Sequence, residues 1–179
     1  MRHEQRPTGH DRSGESEYHR LLSENQRYVE AFDRSALGPA PLSGLAVIAC
    51  MDARLDVEET LGLRTGDAHI IRNAGGIVTD DVIRSLVVSQ QRLGTTGIVV
   101  IEHTDCGLYA VDENDLRRDV ATALDLMAED VPVAFGAFDD LEANLRRQVA
   151  ILTSHPLLRR VPVHGLIFDV RTGRLLEID

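Results

Sequence analysis

Two short, nearly unbroken apolar runs, GLAVIAC at 44–50 and GIVVIE at 97–102, constrain the fold more than any other feature of the chain. A strand with one wet face alternates apolar and polar side chains, so a strand apolar at almost every position has both faces covered. Both runs are too short for ordinary helices and carry β-branched residues. They predict central strands of a mainly parallel sheet.

The intervening segments supply the layers such a sheet needs. Residues 1–16 hold one Pro, two Gly and almost nothing apolar, and are expected to be a mobile tail. From Glu17 to Phe32, Tyr18, Leu21, Leu22, Tyr28, Val29 and Phe32 recur at helical spacing and predict an amphipathic helix. A short helix is expected over 56–63 and a strand over 68–72. Thr79 reads as an N-cap for a helix that stops at Gly94. Helical periodicity returns over 115–128 and 139–152, and VHGLIFDV and RLLEI flank a turn at Arg171 to Gly173. The pattern predicts an α/β fold: a mainly parallel central sheet flanked by helices, with an N-terminal helical arm and a C-terminal edge hairpin. Residues 17–179 are expected to form a single α/β domain.

Charge removes several functions. Nineteen basic against twenty-nine acidic residues give a net charge of -10, which repels phosphate backbones and anionic bilayers, so neither nucleic acid nor membrane is an expected partner. All nineteen basic residues are Arg, which excludes lysine Schiff-base chemistry. No apolar leader or spanning run appears, so the expected location is the cytoplasm, where the two cysteines stay reduced.

Those cysteines occupy telling positions. Cys50 ends the first apolar run and is followed by Asp52 and Arg54; the second run empties into HTDCG, which contains His103 and Cys106. In open parallel sheets, ligands bind beyond the carboxyl ends of strands. If these two strands are neighbours, two thiolates and an imidazole converge. That donor set suits Zn²⁺ rather than Mg²⁺ or Ca²⁺, and three protein ligands with a fourth position open is the catalytic form of a zinc site. If the chain stays extended past Cys50, residues 50, 52 and 54 face one side.

Competing readings are weaker. Inert core thiols leave His103, Asp52 and Arg54 unexplained. A redox pair lacks C-x-x-C spacing, and Asp52 with Arg54 as a mere surface ion pair ignores their position. RNAGG at 72–76 lacks the Lys and spacing of a P-loop, and its Gly75 and Gly76 read instead as a tight turn or close backbone approach at a third strand end. No G-x-S-x-G elbow or zinc-deaminase motif occurs. His69 and His164 read as strand histidines.

The pair of motifs, Cys50-x-Asp52-x-Arg54 and, fifty-three positions after the cysteine, His103-x-x-Cys106-Gly107, resembles the signature of beta-class carbonic anhydrases, particularly the actinobacterial-type branch. The likeness is strong over 44–107, moderate over the closing VHGLIFDVRTGRL and weak from Leu108 to Pro162. It implies one Zn²⁺ per subunit on Cys50, His103 and Cys106, and reversible hydration of CO₂ to bicarbonate by zinc-bound hydroxide. Asp52 would accept a hydrogen bond from that hydroxide, and Arg54 would keep Asp52 ionised and oriented. In a closed state Asp52 becomes the fourth metal ligand. Gly75 and Gly107 are expected near the substrate, and His155 and Asp105 are candidate proton acceptors. The family's Trp-containing bicarbonate pocket is not expected, since the chain has no Trp. A homodimer or homotetramer is implied, with the N-terminal helix clasping a neighbour. Two alternatives remain: a carbonyl sulfide or carbon disulfide hydrolase on the same fold, and a non-catalytic zinc-binding module.

Overall fold

The computed structural model describes residues 14–131 and 134–178. The expected tail lies, over residues 1–13, outside the described residues. The chain divides into two compact units, one through Gly38 and one from Pro39 onward. The first contains helix α1, Gly14–Glu30, which starts three residues before the expected Glu17 and stops two short of Phe32. Its apolar residues, Tyr18, Leu21, Leu22, Tyr28 and Val29, are all about half exposed or more.

The second unit is built on a five-stranded sheet: β1 (Leu45–Cys50), β2 (Ala68–Asn73), β3 (Gly97–His103), β4 (Val163–Phe168) and β5 (Leu175–Ile178). Spatial order is β2-β1-β3-β4-β5, with the first four strands parallel and β5 antiparallel at the edge. The α/β architecture and the edge hairpin are therefore as the sequence predicts. Among the described residues no helix is long and apolar enough to cross a membrane.

Period-two alternation sorts the side chains of the central strands. Ala46 and Ile48 of β1, with Ile98 and Val100 of β3, pack on Val82 and Leu86 of α3 (Asp80–Arg92) and on Leu145 and Leu152 of α5 (Leu141–Ser154). Val47, Ala49 and Ile101 face the opposite way, onto Leu55 and Val57 at the start of α2 (Val57–Leu61). Each fully buried Leu or Ile contributes about 1.5–3 kcal/mol.

Polar residues punctuate the helices. Thr79 caps α3 by accepting from the Val82 amide, and Asp56 caps α2 through the Glu59 amide. Helix α4 runs Glu113–Leu124, earlier than the expected 115–128, because Asp112 caps its start and left-handed Asp125 ends it. Helix α5 is shifted two residues past the expected 139–152, since Asp140 supplies its cap.

Candidate metal centre

The sheet order reverses between β1 and β3. One connection leaves β1 toward β2, and the chain then returns across to β3, so a crevice opens where the carboxyl ends of these neighbours diverge. Ala49 pairs with Ile101, which places Cys50 at the mouth of that crevice beside the end of β3. His103 ends β3, and Cys106 follows on a turn where Asp105 takes a left-handed φ of 57°.

The three side chains converge as their positions predict. The sulfurs of Cys50 and Cys106 and a ring nitrogen of His103 all lie within 4.8 Å of one another, and all three residues are buried. Zinc bonds of about 2.3 Å to sulfur and 2.0 Å to nitrogen fit donors this close. Both cysteines are free thiols.

His103 provides the sharpest test of fit. Its Nδ1 lies 2.9 Å from the Thr104 carbonyl oxygen, which can only accept, so Nδ1 carries the proton and Nε2 presents a lone pair. That Nε2 is buried and has no hydrogen-bond partner. A metal ion is the partner such an atom calls for, and the carbonyl is the outer support that fixes a ligating imidazole. The thiols agree: a hydrogen bond from Cys106 holds Cys50 well below the usual thiol range, whereas that shared proton, with burial, drives Cys106 up. A divalent cation in place of that shared proton would let both sulfurs carry negative charge side by side.

Asp52 and Arg54 stand beside this cluster, but not because the strand stays extended. The chain turns: the Leu55 amide donates to the Asp52 carbonyl at 3.1 Å, and the Arg54 amide donates to Asp52 Oδ1 at 2.9 Å. Arg54 Nε donates to Oδ1 at 3.0 Å and Nη2 to Oδ2 at 2.8 Å. This fork holds the Asp52 carboxyl well below the usual carboxylate range. Asp52 therefore faces Arg54, and its Oδ2 lies 3.8 Å from His103 Nε2. Arg54 is held in turn by Asp105, through Nη1 to Oδ2 at 2.7 Å and Nη2 to the carbonyl at 2.9 Å.

The glycines divide. Gly76 has φ 65°, and a Cβ there would lie 2.9 Å from the Cys50 nitrogen and 3.0 Å from the Ile101 carbonyl oxygen. The RNAGG turn is thus a close backbone approach beneath the site, as its two glycines predict. Gly75, with φ 79°, donates its amide toward Cys50, while a Cβ on Gly107 would meet nothing within 4 Å. Asp105 and His103 line a cavity of about 750 Å³. His155 instead lines a separate groove with Ile83 and Val87, so the two candidate proton acceptors are not brought together. His69 is satisfied by Ser89 and the Pro39 carbonyl, and His164 pairs with Glu177 at 3.4 Å.

Three contributors escape sequence reading. Arg72 donates to the Cys50 carbonyl at 3.0 Å and to the Asp52 carbonyl at 2.7 Å, tying β2 to the turn that carries both residues. Its place just before AGG was the available signal. Glu102 is only 1 % exposed, and burial pushes its carboxyl up to about 7 although Asn144 donates to it at 2.7 Å. Phe138, with Leu108 and Leu141 beside it, packs on the two cysteines and covers them with apolar surface.

Comparisons with known proteins agree with this geometry. The family model described as carbonic anhydrase matches residues 45–175. Beta-carbonic anhydrase 1 of Mycobacterium tuberculosis is 41% identical over 160 residues, covering 88% of this chain and 94% of that protein. Carbon disulfide hydrolase of Saccharolobus solfataricus is 41% identical over 153 residues, covering 73% of this chain and 75% of that protein. The crystal structure of a carbonic anhydrase from Streptococcus mutans superposes with a TM-score of 0.85 at 42% identity, covering 90% of this chain and 97% of that one. With the family model spanning most of the chain and the sheet of its relatives reproduced, the chain belongs to the beta-carbonic anhydrase family.

Proposed function

We propose that the protein catalyses the reversible hydration of carbon dioxide to bicarbonate and a proton, with one zinc ion on Cys50, His103 and Cys106. The observation that carries this reading is Asp52, gripped by Arg54 and set 3.8 Å from the unpartnered Nε2 of a buried histidine. A structural zinc site has no use for such a carboxylate. The same feature counts against a non-catalytic module.

When bound, the ion supplies a Lewis acid that acidifies water at neutral pH. The protein's residues do the rest. Oδ1 of Asp52 already accepts two Arg54 N–H groups, whereas Oδ2 accepts one from Arg54 and keeps a lone pair toward the cluster. That lone pair accepts the O–H of the attacking oxygen, which turns the oxygen's own lone pair toward the carbon. Arg54 keeps Asp52 ionised, so the carboxylate acts only as an acceptor. Phe138 and Leu108 pack on the two cysteines and give that side of the cluster an apolar wall, which suits an uncharged linear substrate.

Both ligand cysteines must stay reduced, which fits the cytoplasm. The half-exposed apolar stripe of α1 suits burial against a second copy in a homodimer or homotetramer, and light scattering on the full chain measures this.

A second reading is hydrolysis of carbon disulfide or carbonyl sulfide, favoured by the 41% identity to a carbon disulfide hydrolase. Stopped-flow assays of zinc-loaded protein on CO₂ and carbonyl sulfide in parallel decide between them. Faster turnover of CO₂ supports the first reading, and faster turnover of carbonyl sulfide the second.

A further inference from the structure

The apolar cover over the two cysteines hangs on one carboxylate. Glu113, the first residue of α4, accepts the backbone N–H of Phe135 at 3.1 Å, of Gly136 at 2.6 Å and of Ala137 at 2.9 Å. None of these amides belongs to a helix or strand. The next amide, of Phe138, donates to the Leu108 carbonyl at 3.1 Å, and the Ala110 amide returns to the Phe138 carbonyl at 2.7 Å. Four successive N–H groups of the 135–138 segment are therefore fixed, three of them by Glu113 alone.

The segment so fixed is pressed against the site. The Phe138 side chain packs on Cys50 and Cys106, and its ring lies 5.9 Å from that of Tyr109, centroid to centroid. Gly136 has φ 78°, and a Cβ there would sit 2.5 Å from Ile77 Cδ1. Ile77 follows the same Gly75-Gly76 turn that runs beneath Cys50. The wall is thus clamped from both ends, by Glu113 behind and by Ile77 in front. Backbone amides, Ala137 first, hold the Glu113 carboxyl below its usual range, so it is the charged acceptor at neutral pH.

We infer that Glu113 is a positioning residue that sets the substrate selectivity of the site, by fixing the Phe138 wall against which CO₂ and its sulfur analogues are distinguished. The inference rests on the hydratase reading above. Carbon dioxide, carbonyl sulfide and carbon disulfide share a linear shape and an electrophilic carbon, and differ in the bulk of the terminal atoms. An apolar pocket separates ligands that differ by about one methylene by roughly 10–200-fold, provided its walls hold still. Cys50 and His103 end β1 and β3, Cys106 follows on the next turn, and Glu113 hydrogen-bonds to none of the three.

Zinc-loaded full-length Glu113→Ala and Glu113→Gln are compared with the parent for zinc content, for hydrogen exchange at residues 135–138, and for kcat and KM on CO₂ and carbonyl sulfide. Glu113→Ala is expected to speed exchange at these amides by at least ~10-fold, as expected for local opening, and to leave zinc content unchanged. It is expected to shift the CO₂ to carbonyl sulfide ratio of kcat/KM by at least ~5-fold, chiefly through KM. Glu113→Gln retains one carbonyl oxygen as acceptor and is expected to fall between the two. If Glu113→Ala does not fold, a smaller shift of the same sign in Glu113→Gln carries the test. Equal loss of both activities with an unchanged ratio marks a purely structural role and overturns the inference, as does unaltered exchange. A parent protein inactive on both substrates overturns the hydratase reading itself, which an active parent with an unchanged ratio does not.

Discussion

Arg54 holds Asp52 by both carboxylate oxygens, Nε to Oδ1 at 3.0 Å and Nη2 to Oδ2 at 2.8 Å, while Asp105 takes the outer side of the same guanidinium. A planar fork is required for this, and an ammonium cannot reproduce it. Arg54→Lys is therefore expected to lose at least ~100-fold in kcat/KM for CO₂, nearly as much as Arg54→Ala, because a misplaced reacting group costs about that much. Zinc content should stay at the parent level in both variants. A fully active Arg54→Lys would contradict the orienting role.

Ligand removal should act on the metal first. Cys106→Ser and His103→Ala each delete one of three donor atoms that lie within 4.8 Å of one another. Loss of an outer-shell partner costs about 10–100-fold in metal affinity, so loss of a ligand is expected to cost more than ~100-fold. Competition with a chelator reads this directly, and unchanged affinity in either variant would remove that residue from the ligand set.

The Glu113 clamp carries a pH dependence of definite sign. Hydrogen bonds from Ala137, Phe135 and Gly136 depress the folded-state value below the ordinary 4.5. A depressed acid contributes stability that is fully present above its unfolded value and is lost as pH falls through the folded one. The parent should therefore be more stable than Glu113→Gln at pH 7. The gap in urea midpoints should close as pH drops below about 4.5. A gap that does not narrow at all as pH falls below about 4.5 would show that the charge is not its source.

Gly76 offers a backbone test. A methyl group there would lie 2.9 Å from the Cys50 nitrogen and 3.1 Å from the Ala49 carbonyl carbon, at a φ of 65°. Main-chain atoms cannot swing aside as a flexible side chain does. Gly76→Ala is expected to cost at least ~3 kcal/mol in denaturant unfolding and to weaken zinc binding, since the displaced atoms belong to Cys50, a proposed ligand. Gly107→Ala, with open space around its Cβ, is the matched control and should be near neutral.

The legible parts of this protein are those that local chemistry determines. GLAVIAC and GIVVIE form the two neighbouring central strands because only a doubly covered strand tolerates such composition, and Thr79 caps α3 as a side-chain acceptor should. Strand ends then bring Cys50, His103 and Cys106 together. What stayed hidden depends on partners far along the chain. Glu102 reads as the polar end of a strand yet is buried against Asn144, forty-two residues on. Glu113 reads as an ordinary first-turn acid, although its amide partners lie 22 to 24 residues away. The Asp52 to Arg54 fork follows from guanidinium and carboxylate chemistry, but a side-chain-capped turn, and not an extended chain past Cys50, brings the two together. Helical spacing predicts α1, but periodicity does not say what covers its apolar residues.

Zinc held by Cys50, His103 and Cys106, with Asp52 as acceptor, would make CO₂ hydration depend on the metal. The most direct measurement is stopped-flow CO₂ hydration at pH 8 on protein of known metal content, repeated after zinc is stripped by a chelator and again after it is restored. One zinc per chain is expected, with activity that disappears with the metal and returns with it, and an Asp52→Ala variant that keeps zinc but loses most of the rate. Zinc-loaded protein that hydrates CO₂ no faster than buffer, or a rate indifferent to zinc removal, would contradict this expectation.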